Sequence, residues 1–174
     1  MRLTQYLSEK INLNYKLKAA NYYDSGHKWE VEFDIGDKEF TFMAKEYQIS
    51  TESPKIRTFL GAPKDYKGST TLWDLEFAQD VSSGKEHYIT GKAGGQASEV
   101  FSAVATATKQ FILKKRPDYF TFSGREPSRK RLYDRFAKMI VKVSSGSYEY
   151  LGKLPLFGDE VYVFKHKDAE IKYD

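Results

Sequence analysis

The stretch HYITGKAGGQASEVFSAVATATKQFILKKRPDYFTFS, residues 87–123, contains the order of elements that decides the fold. A short β-prone run, 87–90, leads into a glycine-rich loop at 91–96. Apolar residues then recur at helical spacing over 97–113, which predicts a largely buried central helix. Residues 118–123 are typical of a second strand. A helix of that length makes the crossover that parallel pairing requires, so we predict that 87–90 and 118–123 are parallel neighbours.

The loop at 91–96 has the composition of a turn that brings the backbone close to an anion. Gly91, Gly94 and Gly95 add no side chains there, and the positive end of the following helix favours negative charge. The spacing is neither a Walker A loop nor a dinucleotide fingerprint, because no Gly-Lys-Ser/Thr follows and no GxGxxG is present. The loop is therefore either a phosphate-binding site or simply a turn.

The sequence on both sides of this stretch predicts an α+β domain. A short helix is expected at 3–10, followed by an irregular approach at 21–26. Apolar and charged residues alternate over 29–35, and the alternation repeats over 40–44, which predicts a β-hairpin with one buried face. The same period over 71–79 predicts a third strand. Pro127 is well placed in the first turn of a helix that extends to about residue 140. Two more strands are expected near the end of the chain, at 148–151 and 161–166, separated by Pro155 and Gly158.

Length and composition exclude several classes of protein. The 174 residues are 40% hydrophobic, which is sufficient for a single domain over 1–174. The chain has no cysteine, and its three histidines are isolated in sequence, so disulfides, cysteine nucleophiles and a bound metal are not expected. No apolar run reaches the length of a membrane span, and no signal peptide is recognisable at the amino terminus. We therefore expect a cytoplasmic protein.

Positive charge is concentrated in the segment 109–142. It contains eleven Lys and Arg residues against three acids, a net charge of +8, which leaves −4 on the rest of a chain whose net charge is +4. Clustered basic residues suit anionic partners such as nucleic acid, phosphates or coenzyme A. A solvated helix face would produce the same pattern.

Two short motifs resemble the GNAT N-acetyltransferase superfamily. KAGGQA at 92–97 is similar to the family's pyrophosphate loop, Q/R-x-x-G-x-G/A, with a lysine in the first place. RLYDR at 131–135 is similar to the family's LYEK segment in the following helix. The resemblance covers about 71–165, and the hairpin at 29–44 fits the family's earlier antiparallel strands. The chain also resembles small phage-encoded proteins that pair an ITG strand end with an SRxxLYxR helix, in which case the location is the host cytoplasm.

The resemblance implies a GNAT-like fold, with a mixed, mainly antiparallel central sheet and helices on both faces. It also implies an acetyl-CoA-dependent N-acyltransferase, in which an amine on a small molecule or a protein attacks the thioester. Tyr133 matches the tyrosine that assists the departing thiolate. Glu76, with Asp74 second, is the candidate base on the polar face of the strand before the loop. The expected cofactor-binding residues are Lys92, Gly94, Gly95, Gln96, Ala97, Arg129 and Lys130.

Departures from the family pattern favour a second hypothesis. Glu126 and Arg129 stand where the family has Asn and Ala, and Ala-Lys at 137–138 replaces its Gly-Phe. The alternative is a catalytically silent GNAT-like module that binds nucleic acid or a host protein through 109–142. Outright nucleic-acid binding is not favoured, because the alternating aromatics at 119–122 are more typical of a strand in a core.

The catalytic candidates also have plain structural interpretations. Glu76 and Asp74 fit the solvent side of an amphipathic strand equally well. The ring of Tyr133 has helical spacing with Phe136 and Ile140, so it could simply pack in the core.

Overall fold

A computed structural model describes residues 12, 14–81, 84–86, 97–124 and 130–173. Among them, eight strands form one mixed sheet in the order β1-β2-β3-β4-β6-β8-β7, with β5 paired to β4. The strands are β1 Lys18–Asp24, β2 Lys28–Ile35, β3 Lys38–Gln48, β4 Thr71–Val81, β5 Gly84–Glu86, β6 Tyr119–Gly124, β7 Tyr148–Leu156 and β8 Asp159–His166. The helices are α1 Pro54–Phe59, α2 Ala97–Lys115 and α3 Lys130–Val143.

Both faces of the sheet are buried. Alternate side chains of the same strands point to opposite faces, and each face contributes to its own apolar cluster. On the first face, α2 and α3 cover a large cluster that includes Trp73, Leu75, Phe120 and Phe122. On the second face, α1 and the chain around it cover a smaller cluster. Its members from the sheet, the 3₁₀ turn after β3 and α1 are Ile49, Ile56, Leu72, Tyr119, Leu154, Val161 and Val163. Helices therefore lie on both faces, and the predicted α+β class with a mixed, mainly antiparallel sheet is confirmed.

The β2–β3 hairpin forms as predicted from the alternating pattern. Val31, Phe33 and Phe42 are fully buried or nearly so, while the residues between them face the other side. Gly36 has a φ of 64° in the connecting turn, a conformation that glycine adopts without the strain other residues meet. The turn fixes the register at Ile35 opposite Lys38, which places the buried apolar residues of both strands on one face.

Among the described strands, the parallel neighbour of β6 is β4. Trp73 lies opposite Phe120 and Leu75 opposite Phe122, in parallel register, while β8 pairs with the other side of β6. Both sides of β6 are thus occupied at these positions. The crossover through α2 was correctly predicted, but it starts from the longer strand. Residues 87–90 lie outside the described part of the chain.

Two smaller expectations are also corrected. The approach at 21–26 was expected to be irregular, yet β1 pairs with β2 at the edge of the sheet. Its side chains are mostly exposed, so no alternating pattern marks it. Pro155 was expected to separate the last two strands, but it lies within β7. Proline is tolerated there because β7 is an edge strand, and an edge residue can lack an N–H donor. The short helix expected at 3–10 lies outside the described residues.

The carboxyl-terminal segment is packed against the second face around Gly68. A Cβ atom on Gly68 would collide with the backbone oxygen of Lys172 and with the hydroxyl of Tyr66. We expect Gly68→Ala to lower the free energy of unfolding by about 1–3 kcal/mol, because a close-packed contact must open. Chemical denaturation measures this loss. The exposed neighbour Lys67 provides the control, and a Gly68→Ala variant as stable as Lys67→Ala would contradict the packing argument.

Candidate functional site

A gap opens between β4 and β6 beyond their three paired positions. The pairing ends at Leu75 opposite Phe122, after which β4 continues beside β3 and β6 continues beside β8. The far end of β4 is paired again on the side of the gap, where Gln79 lies opposite Glu86 of β5. Residues 76–78 therefore face no strand on that side within the described part of the chain. At roughly 3.3 Å per residue this opening is about 10 Å long.

A cavity of about 540 Å³ lies at this opening. From the first face it is lined by Phe101, Val104 and Thr108 of α2, and by Tyr133 and Phe136 of α3. From the strands it is lined by Phe42, Lys45, Asp74, Leu75, Glu76, Phe77, Phe122, Ser123 and Asp159. Because successive strand residues point to opposite faces, residues of both faces line one cavity.

Asp74 lies on the second face, opposite Thr121 of β6. The Thr121 hydroxyl donates a hydrogen bond to Oδ1 of Asp74 at 2.9 Å. Oδ2 accepts none from the described residues, although the side chain lines the cavity. Burial raises the pKa of Asp74 to about 6; the charges of Glu76 and Glu52 add to the rise, while Thr121 and Lys45 oppose it. A carboxylate with this pKa can exchange a proton near neutral pH.

Two more carboxylates lie in the same region of the second face. Glu76 lines the cavity and lies two residues beyond Asp74, on the same face of β4. Glu52 follows β3 after a short 3₁₀ turn, and burial raises its pKa. The pKa of Tyr47 is also raised, by burial first and then by Asp74, Glu76 and Glu52. These shifts indicate that the three carboxylates produce one region of negative potential.

Tyr133 reaches the same cavity from the first face. It lies in the first turn of α3, and its side chain is 8% exposed. Its ring centroid is 6.5 Å from that of Phe122 and 6.3 Å from that of Tyr162. The tyrosine therefore packs in the core and also lines the cavity. The structure brings Tyr133, Glu76 and Asp74 to one cavity, although the tyrosine and the two acids belong to opposite faces of the sheet.

Most of the expected cofactor-binding residues lie outside the described part of the chain. These are Lys92, Gly94, Gly95, Gln96 and Arg129. Ala97 is the first residue of α2, and Lys130 is the first residue of α3. Both helices extend from these first residues past the cavity, since Phe101 and Tyr133 of their early turns line it. The helix starts are therefore near the cavity, on the first face.

Part of the basic segment 109–142 is used inside the fold. The ammonium group of Lys115 pairs with Asp24 of β1. Its side chain is only 13% exposed, so its charge adds little to the surface. It also lies 5.5 Å from the ring centroid of Trp73. The segment is therefore not a uniform positive surface.

Outside this segment, Glu99 in the first turn of α2 accepts a hydrogen bond from Tyr15 and lies 3.6 Å from Lys18.

Glu52, Lys45 and Ser123 were not predicted from the sequence as residues of the site. Glu52 and Lys45 lie near Asp74 only because β3 pairs with β4 in the observed register, which puts Lys45 opposite Asp74. Ser123 lines the cavity because the pairing of β6 with β4 ends one residue earlier, at Phe122. The alternating pattern of β3 places Lys45 on the polar face, and this is the only signal that pointed toward it.

Two other features are absent from the described residues. No helix in the described ranges has the length and apolarity that a membrane span requires. No cluster of three or more potential metal ligands occurs in the same ranges. The fold and the cavity thus define an α+β protein whose mixed sheet opens between two parallel strands.

Comparisons with known proteins give little further information. No protein-family model matches this chain, and no curated protein matches it. Among solved structures, the chain is similar to AAC(6')-Ib in complex with paromomycin and acetyl-CoA, with a TM-score of 0.36 and 13% sequence identity. The match covers 81% of this chain and 66% of that chain. At that TM-score and identity, the similarity supports no conclusion about the function of this chain.

Proposed function

We propose that this chain is an acetyl-CoA-dependent N-acyltransferase. The observation that supports the proposal best is the opening in the sheet between β4 and β6, where the parallel pairing stops at Leu75 and Phe122. A cavity at that opening is lined from both faces, so a cofactor on one face could meet an acceptor on the other. The resemblance in the loop at 92–97 and in the helix segment at 131–135 agrees with this assignment. The resemblance to phage-encoded proteins adds the proposal that the acceptor is a host molecule.

The cavity suits the slender, uncharged arm of coenzyme A. Phe101, Val104 and Phe122 give it apolar walls, and Thr108 is already satisfied because its hydroxyl donates to the backbone oxygen of Val104 at 2.8 Å. Among the described residues, the backbone of β4 along 76–78 has no strand partner on the side of the gap, so an extended ligand could bond there as an added strand does. The loop at 92–97 and the start of α2 would hold the pyrophosphate.

Acetyl-CoA supplies the thioester, and the protein's own residues would then handle protons and position the acceptor. We assign the base to Asp74 before Glu76. The raised pKa of about 6 keeps Asp74 ionised at neutral pH while giving it a higher proton affinity than an ordinary aspartate. Glu76, beside it in the cavity, would attract the ammonium form of the acceptor. Tyr133, on the opposite face, would donate a hydrogen bond or a proton to the departing thiolate.

Replacing Tyr133 with phenylalanine tests the role of its hydroxyl. We expect acetyl-CoA affinity to stay close to native, because the ring contacts with Phe122 and Tyr162 remain. Turnover should fall by roughly 10²- to 10⁴-fold, which is the usual size of general acid assistance. Calorimetric titration measures the first quantity, and release of free thiol with candidate amines measures the second. The exposed Tyr23 gives the control, Tyr23→Phe; native turnover in Tyr133→Phe would remove the tyrosine from the mechanism.

A further inference from the structure

The mouth of the cavity on the second face has an excess of carboxylates. Asp74 and Glu76 line the cavity on this face, and among its described lining residues the positive charge is that of Lys45. Lys45 lies opposite Asp74, and its charge opposes the rise in the pKa of that carboxyl. Its ammonium group forms no ion pair among the described residues. Glu52 adds a further negative charge that acts on Asp74. A neutral acceptor would leave most of this charge uncompensated.

Two of these carboxyl groups lack the partners that buried carboxylates normally have. Oδ2 of Asp74 accepts no hydrogen bond from the described residues, although the side chain is largely buried and lines the cavity. Glu52 is partly buried, and its carboxylate has neither a hydrogen bond nor an ion pair within the described part of the chain. Burying a carboxylate without a partner costs free energy, and a cationic ligand would offset that cost at both positions.

From this geometry we infer that the acceptor site takes a dication, a primary alkylamine with a second ammonium group on the same flexible chain. The inference rests on the proposed function and specifies its acceptor. One ammonium would lie at Asp74, where the acyl group is transferred. The second would lie toward Glu52, outside the opening in the sheet. Glu76 lies beside Asp74 in the cavity and would contribute to the attraction of both groups.

Cadaverine and pentylamine form a matched pair of probes for this inference. They have the same carbon chain, and pentylamine lacks the second ammonium group. At low salt and about pH 8, where both carboxylates are ionised, calorimetric titration of the protein should show cadaverine binding on the order of tenfold more tightly. Tenfold corresponds to about 1.4 kcal/mol, the size of a single partly buried charge interaction. Equal affinities for the two amines would overturn the inference.

A pair of charge-removing variants locates the second ammonium. Glu52→Gln should abolish most of the preference for cadaverine, because it should weaken cadaverine binding much more than pentylamine binding. Glu39→Gln removes the same charge from an exposed position of β3 and should keep the preference, which excludes an effect of net charge alone. Loss of the preference in Glu39→Gln, or its persistence in Glu52→Gln, would contradict the placement of the dication.

Thiol release with acetyl-CoA separates this inference from the proposed function. Selective cadaverine binding without thiol release would support the dication site and reject acyl transfer to these amines. Thiol release at equal rates from cadaverine and pentylamine would support acyl transfer and overturn the dication site. Preferential release with cadaverine, lost in Glu52→Gln, would support both.

Discussion

Replacing Ser123 with tryptophan is expected to abolish acetyl-CoA binding while the fold persists. Ser123 is exposed, lines the cavity and lies one residue beyond the last position at which β6 pairs with β4. An indole there would occupy the gap between the strands, and aromatic residues are well tolerated in strands. Affinity should fall by at least about 100-fold, which corresponds to about 2.7 kcal/mol. Calorimetric titration with acetyl-CoA measures the loss.

The control for this variant is Glu149→Trp. Glu149 is an exposed residue of the edge strand β7, so it receives the same side chain on the same sheet away from the cavity. We expect native acetyl-CoA affinity in Glu149→Trp, and similar unfolding midpoints in both variants. If Ser123→Trp binds acetyl-CoA as tightly as Glu149→Trp, the cofactor does not pass through the opening, and the proposed function loses its main support.

Asp74→Asn is expected to make the protein more stable and far less active. Asparagine can still accept the hydrogen bond from Thr121, but it has no charge to bury. Turnover should fall by roughly 10²- to 10⁴-fold if the carboxylate is the base. In the native protein, kcat/KM should rise as the pH passes through about 6, when Asp74 loses its proton, and the variant should lack this rise.

The higher stability expected of Asp74→Asn follows from the raised pKa of Asp74 in the native protein. Burial raises the pKa from 3.8 to about 6, so the folded state holds the proton more tightly than the unfolded state. Native stability therefore falls as the pH rises from about 4 to about 6, and the deficit is complete above that range. Two pKa units correspond to about 3 kcal/mol at most. Asp74→Asn should recover this free energy at about pH 8 and show no gain at about pH 4.

Chemical denaturation at these two pH values checks the prediction. Asp37→Asn makes the same change at an exposed position in the β2–β3 turn and should leave stability unaltered at both. An Asp74→Asn variant that is no more stable than native at about pH 8 would contradict the buried charge. A variant with native turnover would remove Asp74 from the role of base. The combination of higher stability with lower activity is typical of a side chain kept for function at a cost to folding.

Hydrophobic periodicity was sufficient to predict the main elements of the fold. The alternation at 29–35 and 71–79 became β2 and β4, and the helical stripe at 97–113 became α2. These predictions depended on which side chains of one segment share a face, and this is fixed by the local geometry of a strand or a helix. The mixed sheet with a helical crossover followed from the order of those elements.

The elements that were missed depend on neighbours distant in sequence. The strand β1 has mostly exposed side chains, so its conformation is set by hydrogen bonds to β2 and leaves no pattern in the sequence. The parallel pairing of β6 with β4 joins residues far apart in sequence, such as Leu75 and Phe122. Only the packing of the whole sheet decides such a pairing.

For the candidate site, the sequence by itself determined the residue types: a tyrosine in the first turn of a helix and two acids on the polar face of a strand. The tertiary structure alone decided that Tyr133, Asp74 and Glu76 line one cavity. It also decided that Asp74 is buried, since α1 and its flanking chain cover the face that alternation had assigned to solvent. The physical reason is that periodicity reports the direction of a side chain, whereas burial and pKa depend on what packs against it from elsewhere in the chain.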